Sequence, residues 1–131
     1  MKCVISGSFR KHYDDICRVI SEFEKLSVEV LSPKKSAIVN TNETFAILET
    51  DKSNDSKELE EDHLNAIRQC DFLYICDIGG YIGTSTLLEI GFAIGAAKAV
   101  YCIEQPKEPI IRILITGIAS PKETAHIYAT T

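Results

Sequence analysis

The stretch Phe72-Leu73-Tyr74-Ile75-Cys76-Asp77-Ile78-Gly79-Gly80-Tyr81-Ile82-Gly83-Thr84-Ser85-Thr86-Leu87-Leu88-Glu89 decides how the rest of the chain is read. Its first five residues form a continuous apolar run, the pattern of a central strand in a parallel sheet covered on both faces. Glycines and hydroxyl residues follow. From residue 86 to residue 98 the chain reads as a helix that is apolar on nearly every side.

Working outward, the same alternation recurs. Residues 2–6 are a short apolar run that breaks at Gly7, a first strand. Ile16, Val19, Ile20, Phe23 and Leu26 recur at helical spacing, and residues 28–31 read as a second strand stopped by Ser32-Pro33. Residues 34–54 fit no single element; 45–48 read as a short strand and 51–54 as a polar loop. Asp55 with Glu58 three residues on marks a helix start, after which Leu59, His63, Ile67 and Cys70 fall on one stripe. Residues 100–103 are another strand, Pro109 opens an amphipathic segment with Ile110, Ile113 and Leu114, and Ser120-Pro121 begins a last short helix. Close packing of the helix after residue 86 on the sheet is expected from Gly91 and Gly95.

Alternating strands and helices with short connections require right-handed crossovers. The expected fold is therefore a single α/β domain spanning residues 1–131. It is an open parallel sheet of the Rossmann-like or flavodoxin-like kind, with helices on both faces and residues 2–6 and 72–76 near the centre. Such sheets bind ligands outside the carboxyl ends of their strands, where the strand order reverses.

Hydrophobic residues make up 45% and charged residues 25% of the chain, the balance of a soluble globular protein. No run approaches the roughly 18 apolar residues of a membrane span. Met1-Lys2-Cys3-Val4-Ile5 enters a strand with no signal-peptide pattern, so a cytoplasmic location is the default expectation. A net charge of −5 argues against binding a nucleic-acid polymer, yet leaves room for one small phosphate. Cys3, Cys17, Cys70, Cys76 and Cys102 are scattered, which favours free thiols over a disulfide or a metal ligand set. No metal or other cofactor is expected.

Two loops fall at the strand ends. In the second, Gly79, Gly80 and Gly83 with Thr84 and Ser85 at a helix start can surround an anion or a sugar, or can simply satisfy a turn. Glu89 is the only charged side chain of that helix before Lys98. A buried carboxylate needs a reason, although Thr86 and Glu89 also have the spacing of a capping box. In the first loop, Gly7, Ser8, Phe9 and Arg10 offer amides, a hydroxyl and a guanidinium for a 5′-phosphate. The alternative there is a serine helix cap beside a surface arginine. His63 lies on the inward stripe beside Asp62, where a histidine can equally be a satisfied core residue; His12 and His126 fall in polar positions.

Together these residues resemble the nucleoside 2-deoxyribosyltransferase superfamily, including its 2′-deoxynucleoside 5′-phosphate N-hydrolases. The resemblance rests on Ile5-Ser6-Gly7-Ser8-Phe9-Arg10, on residues 63–71 and most of all on Thr84-Ser85-Thr86-Leu87-Leu88-Glu89-Ile90-Gly91-Phe92-Ala93. It implies cleavage or transfer at the N-glycosidic bond of a nucleoside or nucleotide, with Glu89 attacking the anomeric carbon through an oxocarbenium-like state. It implies that Gly7, Ser8 and Arg10 hold the phosphate, and that copies of the chain assemble as dimers or larger homo-oligomers. Alignment on Asp71 puts His63, with Asp62 beside it, where the family has an aspartate, so the proton donor has two candidates. A weaker likeness, through Gly79-Gly80-Tyr81-Ile82-Gly83-Thr84, runs to phosphoribohydrolases of the lysine decarboxylase-like family. A nucleotide sensor without chemistry is the alternative from another class.

Overall fold

The computed structural model describes residues 1–33 and 56–129. The strand expected at 45–48, the loop at 51–54 and the helix start at Asp55 lie outside the described residues. In chain order the elements are β1 (Lys2–Gly7), α1 (Phe9–Lys25), β2 (Glu29–Ser32), α2 (Ser56–Gln69), β3 (Phe72–Cys76), a 3-10 turn (Ile78–Gly80), α3 (Thr84–Gly95), β4 (Ala99–Cys102), α4 (Pro109–Leu114), β5 (Gly117–Ile118) and α5 (Pro121–Ala129).

The five strands form one sheet in the order β2-β1-β3-β4-β5, and every pairing is parallel. This is the Rossmann-like, flavodoxin-like arrangement expected from the alternation. β1 and β3 are adjacent, with Ser6 opposite Ile75 and Gly7 opposite Cys76. Because the chain runs from β1 to β2 on one side and reaches β3 on the other, the strand order reverses between β1 and β3.

Side chains of a strand alternate between the two sheet faces, and the core divides accordingly. Cys3, Ile5, Phe72, Tyr74 and Tyr101 pack with Ile16, Val19, Ile20 and Phe23 of α1 and Ala125 of α5. Val4, Leu73, Ile75, Val100 and Cys102 pack on the other side with Ile67 of α2, Ile90 and Ala93 of α3 and Ile111 of α4. All five cysteines are free, and burial pushes the thiols of Cys70 and Cys76 up to about 11 and about 12, which keeps them protonated.

Three details differ from the sequence expectation. Gly91 and Gly95 do not pack on the sheet: Thr86, Glu89, Ile90 and Ala93 are the buried positions of α3. Both glycines are exposed on the opposite side, with open space where a Cβ would stand. In α4 the inward residue is Ile111, while Ile110, Ile113 and Leu114 are exposed. β5 follows α4 as an additional two-residue strand. Among the described residues, no helix is long and apolar enough to cross a membrane.

Candidate active site

At the carboxyl end of the sheet, four elements bring polar side chains together. β1 supplies Ser6, β2 supplies Ser32, α2 supplies His63 and Glu60 one turn apart, and α3 supplies Glu89. Each arises from an ordinary local pattern: Glu60 and His63 share a face of α2 with Ile67 by i, i+3, i+7 spacing, and Glu89 lies on the buried stripe of α3.

His63 is fixed at both ring nitrogens. Nδ1 lies 2.7 Å from Ser32 Oγ, and Nε2 lies 3.0 Å from Ser6 Oγ and 3.5 Å from Glu89 Oε1. The His63 and Glu89 side chains are only 13% and 7% exposed, so water screens the contact between them little. Burial by itself would raise the Glu89 pKa. Hydrogen bonding to His63 and the imidazole charge, with further bonds to Glu60 and Ser6, outweigh it and hold Glu89 below the usual carboxylate range. Glu89 is therefore ionised at neutral pH.

Glu60 is the reverse case. It hydrogen-bonds to Glu89, and its Oε1 is buried with no donor among the described residues. Two carboxyl groups can share a hydrogen bond only if one holds a proton. Glu89 has donors in Ser6 and His63, so the proton belongs on Glu60. Burial, then the bond to and charge of Glu89, push the Glu60 pKa up to about 8. One carboxylate and one carboxylic acid thus stand side by side at neutral pH.

The capping-box alternative for Glu89 does not hold. The N-cap of α3 is Gly83, three residues earlier than Thr86, and it makes no side-chain cap. Thr84 and Ser85 are exposed in the first turn. The glycines before them meet backbone demands: Gly79 and Gly80 have positive φ, and a Cβ on Gly80 would stand 2.5 Å from the Gln105 carbonyl oxygen. Asp77, fully buried at the end of β3, accepts a bond from the Glu104 amide at 3.2 Å and ties the same loop to the segment after β4.

Ser8 is the N-cap of α1, its Oγ accepting from the Lys11 amide at 3.2 Å, and Arg10 is exposed. Phe9 packs partly against the core, and a Cβ on Gly7 would meet the Cys76 carbonyl oxygen at 2.9 Å, so this glycine permits the close approach of β1 to β3. Asp62 is exposed on α2, whereas Glu60, one turn before His63, lies against Glu89. The two loops are nevertheless joined: Lys11 Nζ lies 3.8 Å above the Tyr81 ring, and the His12 ring meets Tyr81 edge-on at 6.2 Å.

No family model matches the chain, and no curated protein matches it by sequence. Solved structures do. The Clostridium botulinum CMP N-glycosidase BcmB superposes with a TM-score of 0.63 at 16% identity, over 99% of this chain and 98% of that one. A conserved protein from Enterococcus faecalis V583 gives a TM-score of 0.66 at 14% identity, over 100% and 99%. The likeness is one of fold. It extends over the whole domain, with no large insertion on either side.

Proposed function

We propose that this chain cleaves the N-glycosidic bond of a nucleoside 5′-monophosphate, with Glu89 as the nucleophile. The observation that carries the reading is the placement of Glu89: a buried carboxylate 3.5 Å from His63 at the strand ends beside the β1–β3 reversal. An ionised carboxylate in a water-poor site both attacks an anomeric carbon and stabilises the oxocarbenium-like charge that develops there. His63 serves as a positioning residue, since its ring is pinned by Ser32 and Ser6 while Nε2 faces Glu89. The CMP N-glycosidase among the fold neighbours, and the resemblance of the Thr84–Ala93 segment to nucleoside deoxyribosyltransferases, support the same reaction class.

The phosphate has two candidate anchors, the exposed Arg10 and the uncapped first turn of α3 at Gly83, Thr84 and Ser85. Free amides at a helix start attract anions. A second copy of the chain is the occupant we assign to the outer face of α3 and α4. There Leu88 and Ile113 are 56% and 75% exposed, and α3 presents no charged side chain to solvent. A closed two-fold contact is the default for such a face, and a Leu88→Asp variant that sediments at half the wild-type mass checks it.

The deciding test incubates the wild type with a panel of ribo- and deoxyribonucleosides and their 5′-monophosphates and measures free base. Release of base from monophosphates in preference to nucleosides, with a mass increase on Glu89 from a slow fluorinated analogue, is expected. Tight binding of a nucleotide without any release would replace this reading with that of a sensor.

A further inference from the structure

The reaction above needs a proton for the departing base, and the groups around Glu89 differ in their freedom to give one. His63 has both ring nitrogens engaged, by Ser32 on one side and by Ser6 and Glu89 on the other. Asp62 is exposed. Glu60 holds a proton, has Glu89 as its hydrogen-bond partner, and has a buried oxygen with no donor among the described residues. The charged group facing it is Glu89 from α3. His63, on its own helix, faces Glu89 in turn, and β1 and β2 contribute the neutral hydroxyls of Ser6 and Ser32.

We propose that Glu60 is the acid–base residue of the glycosidic step, in the position the sequence reading gave to His63 or Asp62; this rests on the N-glycosidase reading. As a Glu89 oxygen bonds to C1′, the C1′–N bond breaks with its electron pair going to the base, and the Glu60 proton passes to that base. Glu60 is then a carboxylate. It takes a proton from water as the water oxygen bonds to C1′, and the C1′–O bond breaks with its pair returning to Glu89. The cycle ends with Glu60 protonated and Glu89 ionised, as at the start.

The test compares wild type and Glu60→Gln on a nucleoside monophosphate and on a nitrophenyl glycoside of the same sugar phosphate, whose leaving group departs without a proton. Glutamine still donates a hydrogen bond to Glu89 but carries no transferable proton. The expected result, read in kcat/KM so that only the step forming the glycosyl-enzyme counts, is a loss of about 100-fold or more on the nucleotide against less than about tenfold on the nitrophenyl substrate. In the wild type, kcat/KM for the nucleotide falls above about pH 8, a limb absent for the nitrophenyl substrate; this comparison needs no variant. A Glu60→Gln enzyme within tenfold of wild type on the nucleotide overturns the proposal, leaving Glu60 a positioning residue. An equal loss on both substrates overturns it as well. A wild type that cleaves neither substrate brings down the N-glycosidase reading itself, and this proposal with it.

Discussion

Ser6 and Ser8 stand two residues apart at the same strand end, yet they belong to different kinds of region. Ser6 is buried and joins His63 to Glu89; Ser8 is half-buried and caps the helix that follows. The buried region holds interlocked groups whose protonation is set by their neighbours. The loop holds groups that serve their own backbone or face solvent, as Arg10 does. Chemistry is expected to concentrate in the first region and binding in the second, because low dielectric strengthens each interaction inside and water weakens each one outside.

The largest effect that follows is at Glu89. Glu89→Gln is expected to lower turnover on the order of 10⁴-fold or more, as removal of a nucleophile does. Its effect on stability has a definite pH dependence. The folded pKa of Glu89 lies below the unfolded one, so its contribution is fully present above the unfolded value and is lost as pH falls through the folded value. Chemical denaturation at several pH values should therefore show wild type more stable than Glu89→Gln at neutral pH, with the gap closing in acid. A variant that is more stable at neutral pH would mean that burial outweighs the partners, and the contrast between the two regions would fail.

Next is His63. His63→Ala leaves Glu89 buried with its main partner gone and strips the Ser32 hydroxyl of its bond, a loss expected to cost about 3 kcal/mol of stability and to raise the Glu89 pKa. Urea unfolding measures the first. The second appears as a shift of the acidic limb of the rate profile to higher pH. A variant of unchanged stability and unchanged profile would mean that the His63–Glu89 contact contributes nothing.

How much of this was legible beforehand differs in the same way between regions. The sheet could be read because its central strands are continuous apolar runs, and Glu89 because it is the single charge on an apolar helix. Glu60 could not be singled out: α2 carries Glu58, Glu60, Glu61 and Asp62 in close succession. Which of them turns inward depends on how α2 is rotated against α3. The available signal was its i, i+3, i+7 relation to His63 and Ile67, the inward stripe. β5 escaped because two residues are too few for a period to show. The glycines of α3 misled because small residues on an apolar helix look alike whether they face the sheet or solvent.

A smaller effect is expected at Arg10. If the exposed guanidinium pairs with the 5′-phosphate, Arg10→Ala should weaken binding of a monophosphate by about 1.5–3 kcal/mol and leave the free nucleoside unaffected. Calorimetry on both ligands separates the cases. Equal affinities in wild type and variant would assign the phosphate to the first turn of α3 and leave Arg10 a surface residue.

The smallest effect, and the sharpest test of the line between the two regions, is at Ser8. Its Oγ accepts from the Lys11 amide at 3.2 Å, so it is already committed to one of the unpaired donors at the start of α1. Ser8→Ala should cost about 1 kcal/mol of stability, the usual price of a lost N-cap, and change monophosphate affinity less than about threefold, since each 1.4 kcal/mol is tenfold. The neighbouring Ser6→Ala should do the opposite. It removes a hydroxyl bonded to His63 and Glu89, so turnover falls and the acidic limb of the profile moves to higher pH. If Ser8→Ala moves the rate profile and Ser6→Ala does not, the loop carries the chemistry after all, because only a group in contact with the reacting atoms or with Glu89 can shift that limb.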